Sequence, residues 1–200
     1  RHAPAASRNR LPILKVLREY LPQFGTILEI ASGTGEHISY FAAAMPHLNW
    51  QPTDIDTEAL LSTAAYCKDA SLANLELPKR LDVTSLNWPY APIASVLCIN
   101  MIHIAPWSCS LGLVRGAAQV LEGHGPLVLY GPFKRNGIHT APTNAAFDQM
   151  LQRKNPEWGV RDIEAVEAEA RDVGLDESTA IEMPSNNVCL ILRRGISGLK

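Results

Sequence analysis

LEIASGTGEH, residues 28–37, puts a short apolar run, an acid, two glycines and two hydroxyl residues into ten positions. A glycine-rich turn directly after a strand is a common nucleotide cradle, so known templates can be tested on it. The dinucleotide fingerprint G-x-G-x-x-G, counted from Gly33, requires a third glycine where this chain has Ile38, and that is the position where helix and strand must pack closely. The P-loop pattern fails as well, because no Gly-Lys-Ser/Thr follows. What remains is an acid, Glu29, at the end of a strand, followed by the turn Ala31-Ser32-Gly33-Thr34-Gly35. Gly33 and Gly35 can take positive φ and leave the backbone open to a ligand.

Working outward, strand and helix patterns alternate. TILEI is a short apolar strand, EHISYFAAAMP a helix stopped by Pro46, and LNWQPT a second strand ending at Asp54. Asp56 can cap the helix TEALLSTAAYCKD, and KRLDV reads as a third strand. ASVLCIN is apolar enough to be buried on both faces; Pro106 then opens a helix closed by Gly123, and GPLVLYGP is the fifth strand. Such alternation predicts a doubly wound, Rossmann-like α/β sheet of parallel strands with right-handed crossovers. Two further helical stretches, near 144–152 and 162–173, precede two strands joined by Pro184-Ser185-Asn186-Asn187. That hairpin predicts a seven-stranded sheet ending in an antiparallel strand. Ahead of this core (residues 25–200), residues 1–24 read as a leading helical segment with Asn9 as its cap and Pro22 as its stop, and the whole chain as one domain.

Composition narrows the function classes. With 200 residues, 46% hydrophobic and a formal charge of -2, the chain has no excess positive charge to neutralise a phosphate backbone, so no nucleic-acid partner is expected. Cys67, Cys98, Cys109 and Cys189 are far apart, without C-x-x-C or histidine at ligand spacing, so neither metal nor disulfides are expected. No stretch has the roughly 18 apolar residues of a membrane span, and no apolar run follows the basic start. Reduced thiols and a cytoplasmic, membrane-free protein are the expectation.

Other chemistry-bearing residues fall at the carboxyl ends of the predicted strands, where open α/β sheets bind ligands. Asp54 lies about 20 residues beyond the glycine turn, where an acid accepts both hydroxyls of a ribose. Ile55 follows it, and Asp82 and Val83 end the third strand, although an ordinary Asx-turn also explains Asp82. Asn100 and His103 lie in NMIHIAPW after the fourth strand, without the prolines and aromatic that amino methyltransferases use to hold a flipped base.

The acid and glycine turn resembles motif I of class I S-adenosylmethionine-dependent methyltransferases, E/D-x-G-x-G-x-G, with Ala31 in place of the first glycine. Over almost the whole chain, the segments PAASRNRLPILKVL, LEIASGTGEH, WQPTDID, NMIHIAPW, GPLVLYGPFKRNGIHTAPTNAAFD, WGVRD and MPSNN resemble the family of domain of unknown function 938, of the methyltransferase-like protein 26 type. The resemblance implies S-adenosylmethionine as cofactor. It also implies Glu29, Ala31, Ser32, Gly33 and Gly35 as cofactor-loop positions, Asp54 with Ile55 at the ribose, Asp82 with Val83 at the adenine, and Asn100 as the contact after strand four. Asn9 and Arg10 are further candidates, to pair with the cofactor carboxylate.

The segment after strand five brings Tyr130, Lys134, Arg135, His139 and Asn144 to the same crevice, with Asn186 of the hairpin. These donors and cations suit a small polar or anionic acceptor of an O- or N-methyl group. His103 and His139 are the candidate bases, because imidazole titrates near neutrality. Two alternatives stay open: a non-catalytic cofactor-binding or interaction protein, and a nicotinamide oxidoreductase. The oligomeric state is not readable from the sequence.

Overall fold

The computed structural model describes residues 2–90 and 92–195. A seven-stranded sheet lies at its centre, built from β1 (Thr26–Ile30), β2 (Asn49–Asp54), β3 (Lys79–Arg80), β4 (Ser95–Ile99), β5 (Leu127–Gly131), β9 (Glu177–Met183) and β10 (Asn187–Arg193). The order across the sheet is β3-β2-β1-β4-β5-β10-β9. The pairs β1–β2, β1–β4, β4–β5 and β2–β3 are parallel; β10 runs antiparallel to both β5 and β9. The mostly parallel sheet with its closing hairpin is as the sequence predicts. The third strand is shorter than KRLDV, because only Thr53 and Asp54 of β2 pair with it before the chain turns away.

Strand residues alternate between two cores, which is why these segments read as continuous apolar runs. Leu28, Val96, Cys98, Leu127, Leu129, Val188 and Leu190 face one side with α4 (Trp107–Val120) and α6 (Ile163–Asp172). Ile27, Leu97, Ile99, Val128, Cys189 and Ile191 face the other with α1 (Pro4–Tyr20), α2 (Glu36–Ala44) and α3 (Thr57–Ala70). Asp56 caps α3 as expected, accepting from the amides of Glu58 and Ala59. No helix among the described residues is long and apolar enough to cross a membrane.

Two features depart from the sequence reading. Helix α1 starts at Pro4, five residues before its expected cap, so Asn9 sits within the helix and its side chain is free for other work; Pro12 also lies inside. Between β5 and β9 there is a second, three-stranded sheet, β7-β6-β8, of β6 (Phe133–Arg135), β7 (Ile138–His139) and β8 (Arg161–Asp162), with α5 (Pro142–Lys154) inserted. Strands of two or three residues carry no periodicity to detect.

Helix α1 is fastened over the carboxyl ends of the strands by Glu36. This carboxylate, 8% exposed, accepts from the backbone amide of Ala3 at 2.7 Å, from His2 Nδ1 at 2.9 Å and from the Tyr66 hydroxyl at 3.2 Å. Replacing Glu36 by Ala leaves the Ala3 amide without its charged acceptor. The expected cost is about 1–3 kcal/mol, and hydrogen exchange should show faster opening of residues 4–10 than of α2 or α3.

Candidate functional site: an acid-walled cavity beside an uncharged cleft

The turn after β1 is a run of left-handed residues: Ala31 at φ 56°, Gly33 at 59° and Gly35 at 91°. Gly35 is required for packing: a Cβ there would lie 2.7 Å from the Thr63 Cα of α3. The Ser32 hydroxyl accepts from the Thr53 amide and hydrogen-bonds the Glu29 carboxyl, tying the turn to β2 and orienting the acid behind it. Glu29 is 2% exposed, and its Oε2 has no partner among the described residues. Burial, with the nearby Asp54 charge adding to it and Ser32 opposing it, pushes the Glu29 carboxyl up to about 7.

In front of the turn lies a cavity of about 530 Å³. Of the expected cofactor residues, Ala31, Gly33, Asp54, Ile55, Asp82 and Val83 line it. Asp54 is held at both oxygens, by the Gly33 amide at 3.0 Å and the Asp56 amide at 2.9 Å. Asp82 does make the Asx-turn, accepting from the amide and hydroxyl of Thr84, and these bonds hold its pKa below the usual range. It lines the cavity as well, so the two readings of this residue are compatible. Asp56 adds another carboxylate, and among the described residues no cationic side chain lines the cavity. Glu29, Ser32, Gly35 and Asn100 are not among the residues that line it.

Asn100, at φ 64°, opens a second cavity of about 380 Å³, together with Asn9, His103, Ile104, Tyr130, Pro132, Asn144, Phe147, Ser185 and Asn187. Ile104 lines both cavities, so they adjoin. His103 is 2% exposed, stacks edge-on against Phe147 and has an unpartnered Nδ1. Burial, aided by the Arg161 guanidinium, brings its pKa down to about 4, so the ring is neutral. It occupies space that only a glycine at 131 leaves, since a Cβ there would sit 2.8 Å from its Cε1.

The remaining expected residues are not brought to either cavity wall. Lys134 and His139 pair with Asp148 at 2.9 and 3.1 Å, and Arg135 pairs with Glu182 at 2.8 Å. Asn186 ties the hairpin to α5, its carbonyl accepting from Asn144 and its amide donating to Thr143. Arg10 lies over the Tyr40 ring at 4.6 Å rather than in the first cavity. Sequence reasoning missed Ile104, Phe147 and Trp158, apolar residues whose position rests on tertiary packing. The clue for Trp158 was its place in WGVRD, where Arg161 clamps the His103 loop by donating to the carbonyls of Ile102 and Ala105.

A family model described as a protein of unknown function, DUF938, matches residues 1–194. The chain belongs to the DUF938 family. In fold it is similar to an O-methyltransferase family protein from Burkholderia thailandensis, at TM-score 0.81 and 17% identity over 96% of this chain and 57% of that one. It is also similar to the S-adenosylmethionine-dependent methyltransferase SibL, at TM-score 0.79 and 18% identity over 94% of this chain and 55% of that one. The human N-acetylserotonin methyltransferase in complex with SAM matches at TM-score 0.77 and 10% identity, over 96% of this chain and 53% of its own. This DUF938 chain thus spans a little over half the length of these structures. They share its Rossmann-like α/β fold.

Ala31 has a left-handed backbone that costs an L-residue roughly 1–2 kcal/mol. Ala31→Gly relieves this strain at the expense of added freedom in the unfolded chain, which offsets part of the gain. The net expectation is a modest rise in thermal midpoint, read by calorimetry on the free protein, with the fold unchanged.

Proposed function

We propose that this DUF938 protein binds S-adenosylmethionine and transfers its methyl group to a small polar molecule held in the second cleft. The observation that carries the reading is the charge on the first cavity: Asp54, Asp56 and Asp82 in its wall, Glu29 behind its turn, and no lining cation among the described residues. A cofactor with an ammonium and a sulfonium suits such a wall, whereas the diphosphate of a nicotinamide dinucleotide is repelled by it. The orphaned Glu29 Oε2 fits the ammonium, Asp54 and Ile55 the ribose, and Asp82 and Val83 the adenine. When bound, the cofactor supplies an already activated methyl group, so the protein's task is chiefly alignment and exclusion of water.

His103 and Asn100 stand where the two cavities meet, and the low basicity of His103 makes it a hydrogen-bonding guide for the acceptor rather than a proton store. His139 is a structural partner of Asp148 in this reading. The cations that suggested an anionic acceptor, Lys134 and Arg135, are engaged by Asp148 and Glu182, so the polar half of that expectation is the one carried forward.

Titration calorimetry with S-adenosylmethionine and with NADH tests the cofactor: binding of the first and none of the second is expected, and the reverse overturns the proposal. Because Glu29 titrates near 7 and must be ionised to meet an ammonium, affinity should rise more than about tenfold from pH 5.5 to 7. The cofactor's amino group keeps its proton over that range, with an ordinary pKa of about 7.7–8.0. Glu29→Gln should weaken binding and flatten this dependence.

The same substitution should stabilise the free protein. A carboxyl raised from 4.5 to about 7 on folding lowers stability progressively as pH rises through that window. The full cost, about 3 kcal/mol, applies above pH 7 and vanishes below 4.5. Glu29→Gln should therefore raise the thermal midpoint at pH 8 and leave it nearly unchanged at pH 4.5.

Once an acceptor is in hand, His103→Ala should lower kcat/KM at least tenfold, whereas His139→Ala should stay within about threefold. Equal and near-normal turnover in both variants removes His103 from the reaction.

A further inference from the structure

The hydrogen-bonding capacity of the second cleft is largely assigned, and what is left over describes its ligand. His37 is neutral, its pKa brought down to about 4 by burial, and its Nε2 donates to Asn9 Oδ1 at 2.7 Å. The Asn9 amide nitrogen then serves the Tyr130 hydroxyl oxygen, so the phenolic proton of Tyr130 remains to be donated into the cleft it lines. Asn144 spends both N–H groups, on Thr140 Oγ1 at 3.1 Å and on the Asn186 carbonyl at 2.8 Å, which leaves its Oδ1 as an acceptor. Asn187 likewise donates to the carbonyls of Pro184 and Ser185 and keeps its own oxygen. His103 Nδ1, buried and unpartnered, lies in the same cleft.

Around these groups the wall is apolar: Ile104, Pro132 and the Phe147 ring. Among the described residues neither an acid nor a lysine or arginine lines the cleft. Two cations lie outside that wall: Arg161, behind His103 and bonded to the carbonyls of Ile102 and Ala105, and Arg8, an exposed residue of the adjoining recess of about 130 Å³ that also touches Asn9, Tyr130, Ser185 and Asn187. A carboxylate or ammonium placed in the inner cleft would lose its hydration with no opposite charge to replace it, which costs more than a hydrogen-bonded neutral group.

We propose that the inner cleft takes an uncharged, planar molecule with two or more N–H or O–H groups and one carbonyl or ring-nitrogen acceptor, such as a hydroxy-substituted aromatic amide. Its ring lies between Phe147 and Ile104, its acceptor atom takes the Tyr130 proton, and its donors meet Asn144 Oδ1 and Asn187 Oδ1. This rests on the reading of the cleft as the acceptor site of a methyltransferase, and names the class of acceptor.

The test uses a matched pair, 3-hydroxybenzamide and 3-hydroxybenzoate, with saturation-transfer NMR on the full chain at pH 7.5, both free and in the presence of S-adenosylhomocysteine. The amide should bind at least tenfold more tightly than the benzoate. Tyr130→Phe should weaken amide binding about tenfold, with an unchanged circular dichroism spectrum and thermal midpoint checking that the variant is folded. Phe147→Leu is the second variant, expected to weaken the amide without altering the preference for it over the benzoate. Equal or tighter binding of the benzoate, no binding of the amide, or indifference of the amide to both substitutions overturns the proposal. Failure of S-adenosylhomocysteine to bind sinks the methyltransferase reading instead, and the measurements on the free protein then decide the character of the cleft by themselves.

Discussion

Everything at the carboxyl end of the parallel strands depends on how closely helices α2 and α3 approach the turn after β1. Gly35 lets the Thr63 backbone come within a distance no Cβ would allow, and the Thr63 and Ser62 hydroxyls reach back to the carbonyls of Gly33 and Thr34. The turn is thereby held in a left-handed path that opens the cavity in front of it and buries Glu29 behind it. Ser32 completes the arrangement from the β2 side by exchanging hydrogen bonds with Thr53. A carboxyl in such a place is costly in the free protein, which agrees with the ammonium contact proposed for it.

This part of the molecule was legible in the sequence because its determinants are local. Gly33, Gly35, Asp54 and Asp56 are defined by turn and cap chemistry over a few residues, and the unbroken burial of the central strands makes them readable as apolar runs. The failures have the opposite character. Lys134 and His139 look free in sequence, but their partner Asp148 lies on α5, and Arg135 is met by Glu182 from β9. Asn9 looks like a helix cap because nothing near it announces that Pro4 begins the helix five residues earlier. Its real partners, His37 and Tyr130, come from α2 and β5.

Asp148 and Arg161 together explain how a cleft can be assembled from loops without becoming slack. Asp148, 4% exposed, collects Lys134, His139, Gln152 and the Val160 amide, and these bonds hold its pKa down against the opposing effect of burial. Gly159 passes close enough that a Cβ would touch the same carboxylate, while its own amide donates to the His103 carbonyl. The small sheet, α5 and the His103 loop are thus one hydrogen-bonded unit, in which the Lys134 ammonium is consumed by Asp148. That consumption leaves the adjoining cleft polar but uncharged.

The separation of charge between the two cavities fits the chemistry proposed for them. Methyl transfer from a sulfonium disperses positive charge as the new bond forms. A carboxylate close to the sulfur would therefore stabilise the bound donor more than the transition state and slow the reaction. The acids here stand under the glycine turn, at the end of β2 and beyond β3, suited to the ammonium, the ribose and the adenine. The boundary shared by the two cavities is instead formed by Ile104, with Met101 on one side and Asn100 and His103 on the other. With His103 neutral, that boundary brings no formal charge to the reacting atoms, so the donor can be held tightly by its ends while its reactive centre is left unstabilised. Binding energy is then realised away from the methyl group, where it holds the donor without opposing the dispersal of charge from the sulfur.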